Sequence, residues 1–416
     1  MSAETETETV TETVTVAETV AAAFVQVSCR DFNASLSFFT SPPLGFLVES
    51  IFPADDPCEA ALVGHGLKLL LVKDGKDDAT TICVQLCERS DSEVLSKSCD
   101  FSGPNGTRVR LLPPEPTEMI RPSLKEAVVV SHLQGEGESP EETDTVWSVG
   151  RAGMRYRDLI PCRLGGRYIA SHIHIPRGGP VPDYCHYHHI HFQMIFCYKG
   201  WVRVVYEGQG EPFIMKAGDC VLQPPKIRHR VLEASDNLEV VEVGSPAVHK
   251  TVQDFMITLP TPEVDTDREF GGQKFVRHLQ SDRDSNNESD GFKPVLDVWG
   301  QPIVETQGRT CVWEARDTGI LLATAGIASV RVIRVCRSHA PTQQSNHGEV
   351  SSTHTHMSDM LLLFLLKGSL QCDVLTENAQ RHILVAGSSV VVPALVPFCI
   401  SHWSDDVEVL EIQVFR

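Results

Sequence analysis

A chain of 416 residues exceeds one ordinary domain, and at roughly 100–200 residues per domain it should divide into about three. Its 42% apolar and 22% charged residues are those of a globular protein, and no apolar run approaches the roughly 20 residues that cross a bilayer. With 36 Lys and Arg against 55 Asp and Glu, the net charge of −19 repels phosphate backbones and anionic lipid surfaces, which excludes nucleic-acid and membrane partners from the expectation.

Residues 1–22 repeat Glu, Thr, Val and Ala and are read as a disordered acidic tail. They lack the basic segment of a secretory signal and the Arg-rich pattern of a transit peptide, so a cytoplasmic location is expected. A folded module of order β-α-β-β-β follows over 23–113: FVQVSC as a strand, RDFNASLSFF as a helix, then LVESIF, EAALVG and LKLLLV. Pro, Glu and Gly dominate residues 114–144, the composition of a linker. Short β-branched and aromatic runs fill 145–262, a second polar linker covers 263–295, and another strand-rich region runs over 296–416. The 13 cysteines contain no CxxC pair and are expected as free thiols, mostly in buried strands.

The two strand-rich regions read as copies of one unit. Arg157-Asp158 recurs as Arg316-Asp317, and Ile169-Ala170-Ser171 as Ile327-Ala328-Ser329. His186, His188 and Gly200 recur at His354, His356 and Gly368; Gly218 and Pro224 recur at Gly387 and Pro393. In the first copy, two histidines two residues apart on a strand project to the same face, about 6–7 Å apart at Cα, so both rings can reach one ion. A glycine turn, a strand and a proline-led loop then deliver His229, and neutral imidazoles suit Fe(II), Mn, Ni, Cu or Zn.

This spacing resembles the two motifs of the cupin family, a glycine-led HxH…E…G and a glycine-led PxG…H. The resemblance puts His186, His188 and His229 in the ligand positions, with Gly200 closing the first motif and Gly218 and Pro224 in the second. This chain departs from the pattern at Gln193, which stands at the glutamate position, at one extra residue before His186, and at Lys226, which stands at a glycine position. In the second copy Leu361 replaces the glutamate and Phe398 the third histidine, leaving His354 and His356 as a degenerate site; His402 lies nearby. Residues 24–113 resemble a module of the glyoxalase, or vicinal-oxygen-chelate, superfamily, with Phe24 and Gln26 near the place where that family carries a ligand.

The implied fold is mainly β: two tandem cupin barrels (double-stranded β-helices) at 145–262 and 296–416, preceded by an α+β glyoxalase-like βαβββ module. Gln193 is read as a ligand, a donor to bound substrate, or packing beside the site. His172 and His174, whose counterparts are Val330 and Val332, are read as pocket residues, and Tyr184, Tyr187, Tyr206 and Arg228 as substrate contacts or rim residues. His189 and His191 fall on the opposite strand face, and Cys185 is an inert strand thiol. The cupin resemblance implies a divalent transition metal, Fe(II) favoured with Mn, Ni, Cu or Zn as alternatives, and a dioxygenase acting on a small anionic or chelating organic substrate. The competing readings are a redox-neutral isomerase or lyase, and a non-catalytic bicupin of storage or pirin type. Homodimerisation is the expected assembly, because glyoxalase modules work in pairs, and no catalytic residue beyond the ligands is singled out.

Overall fold

The computed structural model describes residues 20–42, 45–64, 66–74, 81–86, 99–102, 108–112, 120–133, 147–280, 291–295, 297–298, 301–302, 313–335, 353–376 and 379–415. The chain is mainly β and forms two compact units, Met1–Ser50 with Cys58–Glu118, and Ile51–Pro57 with Met119–Arg416. No described helix is long and apolar enough to cross a membrane. Cys29, Cys83, Cys197, Cys220, Cys372 and Cys399 are buried, Cys58 and Cys185 half-buried, and Cys162 exposed.

The first unit begins with the strand Val20–Cys29 and the helix Phe32–Thr40, whose first turn is capped by the Asp31 carboxylate accepting from the Ala34 amide. Strands Leu47–Phe52, Glu59–Gly64 and Leu67–Lys73 follow, giving the β-α-β-β-β order. Alternation in the last two buries Ala60, Leu62, Leu69 and Leu71 on one face. Strand Val20–Cys29 runs parallel to Leu67–Lys73 and antiparallel to Thr81–Leu86. The tail assigned to residues 1–22 is therefore too long by three residues: Val20 pairs with Leu86 and Ala22 with Gln85, so cross-strand pairing recruits residues whose composition alone reads as tail. The rest of that tail, 1–19, lies outside the described residues.

In the second unit, residues 147–280 build a seven-stranded sheet in the order Val276–His278, Cys220–Leu222, Phe192–Lys199, Leu238–Ser245, Ile169–Ile175, Arg155–Asp158 and Ser148–Val149. Facing it are Phe213–Lys216, Trp201–Tyr206, His229–Ala234, His186–His188 and Thr251–Gln253. The C-terminal half repeats this plan. Its larger sheet contains Trp313–Asp317, Ala328–Val335, Glu408–Val414, Met360–Lys367 and Ser389–Val392, and its smaller one Gln380–Val385, Ser369–Val374 and Phe398–Ser401.

The repetition reaches individual backbone contacts. A register shift at Cys197/Lys199 in one half recurs at Leu365/Lys367 in the other. Lys226 and Leu395 both adopt positive φ, +63° and +60°, which explains why a glycine suits that motif position. The halves also brace each other reciprocally. Arg157 donates from Nη2 to the Gly387 carbonyl at 2.5 Å, and its counterpart Arg316 donates from Nη2 to the Gly218 carbonyl at 3.1 Å. Between the two large sheets lies a shared core that includes Phe192, Met194, Phe196, Val330, Val332, Leu362 and Phe364.

Both segments read as linkers contribute strands. Val129–Ser131 pairs with Ser389–Val392 as an edge of the C-terminal sheet, because the run Val128–Val130 supplies apolar β-branched residues among Pro- and Glu-rich neighbours. From the second, Val276–His278 pairs with Cys220–Leu222 and Lys293–Val295 with Trp313–Asp317. Its most polar part, 281–290, lies outside the described residues.

Candidate metal centre

Strand His186–His188 buries both histidines and leaves Tyr187 partly exposed between them, as two-residue alternation requires. Antiparallel pairing sets His186 directly opposite His229, which opens strand His229–Ala234 after the turn through Lys226. Register thus converges residues from two segments. The ring centroids of His186 and His229 are 4.3 Å apart, and each is 5.2 Å from that of His188. One nitrogen from each of the three lies within 4.8 Å of the others, the one such group of three metal-ligating side chains among the described residues.

Each imidazole is held from behind. His186 Nδ1 donates to the Tyr184 carbonyl at 2.7 Å and His229 Nδ1 to the Ile227 carbonyl at 3.0 Å. His188 Nδ1 pairs with the Thr251 hydroxyl at 2.9 Å. A neutral imidazole that donates through Nδ1 presents a bare lone pair on Nε2, and His186 Nε2 is buried without a hydrogen-bond partner. Burial, reinforced by neighbouring imidazoles and Arg151, pushes His186 and His188 well below the usual histidine range, and burial takes His229 down to about 4. All three are neutral at physiological pH. Second-side hydrogen bonds, neutral rings and an orphaned buried acceptor are what a divalent transition metal needs from its ligands, so this set fits one.

The three rings open on a cavity of about 90 Å³. Its apolar wall includes Met154, Ile173, Ile195, Val204, Met215 and Val240. Beside the three histidines, its polar lining comprises Asp55, Arg151, Tyr156, Ser171, Gln193, Tyr206, Gln223, Arg230, Glu242 and His249. Arg151 pairs with Asp183, whose other oxygen accepts from the Val231 amide at 2.9 Å and which lies 3.6 Å from His186 Nδ1. Tyr206, stacked 5.6 Å from His229, donates its hydroxyl to Gln223 Oε1 at 2.6 Å.

Gln193 is buried and donates to Glu242 Oε1 at 2.7 Å. A carboxyl therefore does border the cavity, supplied by strand Leu238–Ser245 rather than by the glutamate position of the first motif. Enclosure raises the Glu242 pKa above the usual carboxylate range. Nothing in the alternating run LEVVEV marks Glu242 in advance, and Arg151, Asp183, Gln223 and His249 were equally unmarked.

His172 and His174 do not line the cavity. Ile169, Ser171, Ile173 and Ile175 of their strand do, and His172 faces the shared core, 5.6 Å from Phe364 and 5.7 Å from Tyr198. Its Nδ1 accepts from Arg157 and its Nε2 donates to Glu239 at 2.7 Å, while His174 contacts Trp147. The counterparts Val330 and Val332 belong to that same core, so the pairing of copies holds and the choice of face does not. Arg228 is also outside, donating to Asp254 at 3.1 Å and lying over the Tyr187 ring. Tyr184 packs its ring 5.7 Å from His186 and serves it through its carbonyl, outside the cavity lining. His189 stacks on Tyr187, and burial raises the Cys185 thiol to about 11.

In the C-terminal half, both His356 nitrogens are engaged: Nε2 donates to the Val392 carbonyl at 3.0 Å and Nδ1 is 2.7 Å from the Ser358 hydroxyl. Phe398 fills the third ligand position, 5.8 Å from the His354 ring, and Leu361, Leu363 and Leu365 pack the interior. His402 is exposed.

No curated protein matches the chain. Solved structures of oxalate decarboxylase from Bacillus subtilis are similar: one at pH 4.6 has 15% identity and a TM-score of 0.40 over 65% of this chain and 74% of that one. A deletion mutant of that enzyme has 14% identity and a TM-score of 0.41 over 65% and 75% of the two chains. Identical values hold for a structure of it from work on its Mn(II) centres. Residues 171–244 match the family profile described as Cupin domain, a segment that contains His186, His188 and His229 together.

Proposed function

We propose that residues 147–262 form a metal-holding cupin barrel and that the chain is a metal-dependent enzyme acting on a small organic molecule. One observation carries this reading: three buried imidazoles, each held through Nδ1, bring one nitrogen apiece within 4.8 Å of the others at the wall of a cavity. A cavity of about 90 Å³ is several times the roughly 10–15 Å³ that a single water needs, so it has room for a small molecule. The aliphatic part of the wall would bind its carbon skeleton, and the polar groups would orient it.

A bound divalent metal would supply Lewis acidity and open coordination positions for substrate and, with Fe(II), for dioxygen. We read the reaction as a dioxygenase type with Fe(II), because three neutral histidines leave the charge of the ion uncompensated and favour an anionic chelating substrate. Gln193 holds Glu242 rather than the ion in this reading. The Glu242 carboxyl favours a second reading, redox-neutral proton transfer, since burial raises its pKa and an acid bordering the cavity could exchange a proton with substrate. Dioxygen uptake with the iron-loaded protein separates the two.

The C-terminal half is read as a second cupin barrel without metal, and the N-terminal unit as a glyoxalase-like module supported by its β-α-β-β-β order. Metal analysis tests the central reading. The wild type should carry close to one transition metal per chain, His186→Ala and His229→Ala should lose it, and His354→Ala should keep it. A chain that holds metal equally well without His186 and His229 overturns the assignment.

A further inference from the structure

The two halves provide an internal comparison of a site that has its histidines with one that does not. Tyr206 pairs in register with His229, and at the same place in the other half Val374 pairs with Phe398. Gln223, just before Pro224, corresponds to Val392 before Pro393. Tyrosine, glutamine and histidine are thus replaced together by valine, valine and phenylalanine, and the polar trio exists only where the histidine set is intact.

The trio is connected. The Tyr206 hydroxyl grips Gln223 Oε1 at 2.6 Å, which fixes the amide plane and commits its carbonyl. The amide nitrogen then lies 3.5 Å from His229 Nε2, at the edge of the space the three imidazoles share, and Gln223 is only 2% exposed. The long contact to His229 Nε2 uses the lone pair that a metal would take. With that lone pair committed, the Gln223 N–H needs another acceptor, since leaving a buried donor unpaired is costly.

We propose that Gln223, positioned by Tyr206, donates a hydrogen bond to the ligand entering beside the three histidines, and so selects anionic or oxygen-bearing ligands that keep a lone pair for it. This rests on the metal reading of the same histidines. Tyr206 acts through Gln223 and is a positioning residue.

The full chain loaded with cobalt(II) and titrated with azide, followed by the visible spectrum of the metal, tests this directly. Gln223→Leu should keep cobalt at the wild-type level and raise the azide Kd about tenfold, equivalent to about 1.4 kcal/mol. Tyr206→Phe, which removes one hydroxyl, should raise it roughly threefold, and the double variant should be no weaker than Gln223→Leu alone. A packing role predicts unchanged azide affinity at equal metal content. Azide affinity within twofold of wild type in the cobalt-loaded Gln223→Leu or Tyr206→Phe protein overturns the inference and leaves the metal reading intact, as does a loaded wild type that binds no azide. Cobalt retained by His186→Ala and His229→Ala overturns both.

Discussion

His229 should make the metal-free protein acid-labile, and replacing it with the residue its copy carries should remove that lability. Burial lowers its pKa from 6.5 to about 4 in the folded chain. Between those values the unfolded chain binds a proton that the folded chain refuses, so stability is full above pH 6.5 and falls as pH drops toward 4. At about 1.36 kcal/mol per pH unit, the difference amounts to roughly 3 kcal/mol. Hydrogen exchange in strand Phe192–Lys199 of chelator-treated protein, corrected for intrinsic rates, reads the opening free energy across this range. The wild type should lose about 3 kcal/mol more than His229→Phe between pH 7 and pH 4. Parallel pH curves for the two proteins would refute the argument, because the deficit would then belong to the other buried histidines, His186, His188, His172 or His249. Saturating metal should flatten the wild-type curve alone, since a coordinated imidazole resists protonation.

Arg157 is 1% exposed and joins Ser131, His172 and the Gly387 carbonyl, so Arg157→Ala should cost about 3–5 kcal/mol in thermal unfolding. The exposed Arg155→Ala should stay within about 0.5 kcal/mol. Lys226→Gly should stabilise the chain by up to about 1 kcal/mol, because φ at +63° suits glycine; Lys226→Ala, which keeps a Cβ there, should give no such gain in the same denaturation assay. Phe398→His should not create a second metal site, since both His356 nitrogens are already engaged and leucines fill the interior. Metal content should remain near one per chain, and the buried imidazole should cost about 2–3 kcal/mol; two metals per chain would contradict the account.

The convergence of the three histidines is legible because its elements obey local rules. An HxH on a strand must share a face, and a glycine turn followed by a proline loop fixes where His229 enters. The duplication was legible as repeated spacing, and it survives as the shared bulge at Cys197 and Leu365. The orientation of Ile169–Ile175 was not legible. One face of that strand meets the cavity and the other the core between the halves, so burial is continuous over Ile169–Ile173 and alternation carries no polarity. His172 therefore reads as a pocket residue when it is part of a buried network joining Arg157 to Glu239. Glu242 escaped notice for the complementary reason: its strand places it beside Gln193 only through a pairing across residues 192–245, which no short motif records.

The differences between the halves are concerted, and concerted change is what packing demands. An enclosed polar side chain is tolerated only while its partners remain. If His229 were replaced by phenylalanine alone, the Gln223 amide nitrogen would lose the His229 Nε2 it faces at 3.5 Å and Tyr206 would stack on a changed ring. The C-terminal half shows the resolved state: Val374, Val392 and Leu361 surround Phe398, and the space becomes continuous apolar core. The first half keeps Tyr206 with Gln223 and Gln193 with Glu242 hydrogen-bonded in pairs around the histidines. The other half shows that the same backbone packs with valine, valine and phenylalanine at the places of Gln223, Tyr206 and His229, so packing alone does not call for the polar trio. Their retention beside the three histidines is what the proposed metal and its ligand would explain, and it extends that proposal to residues beyond the histidines.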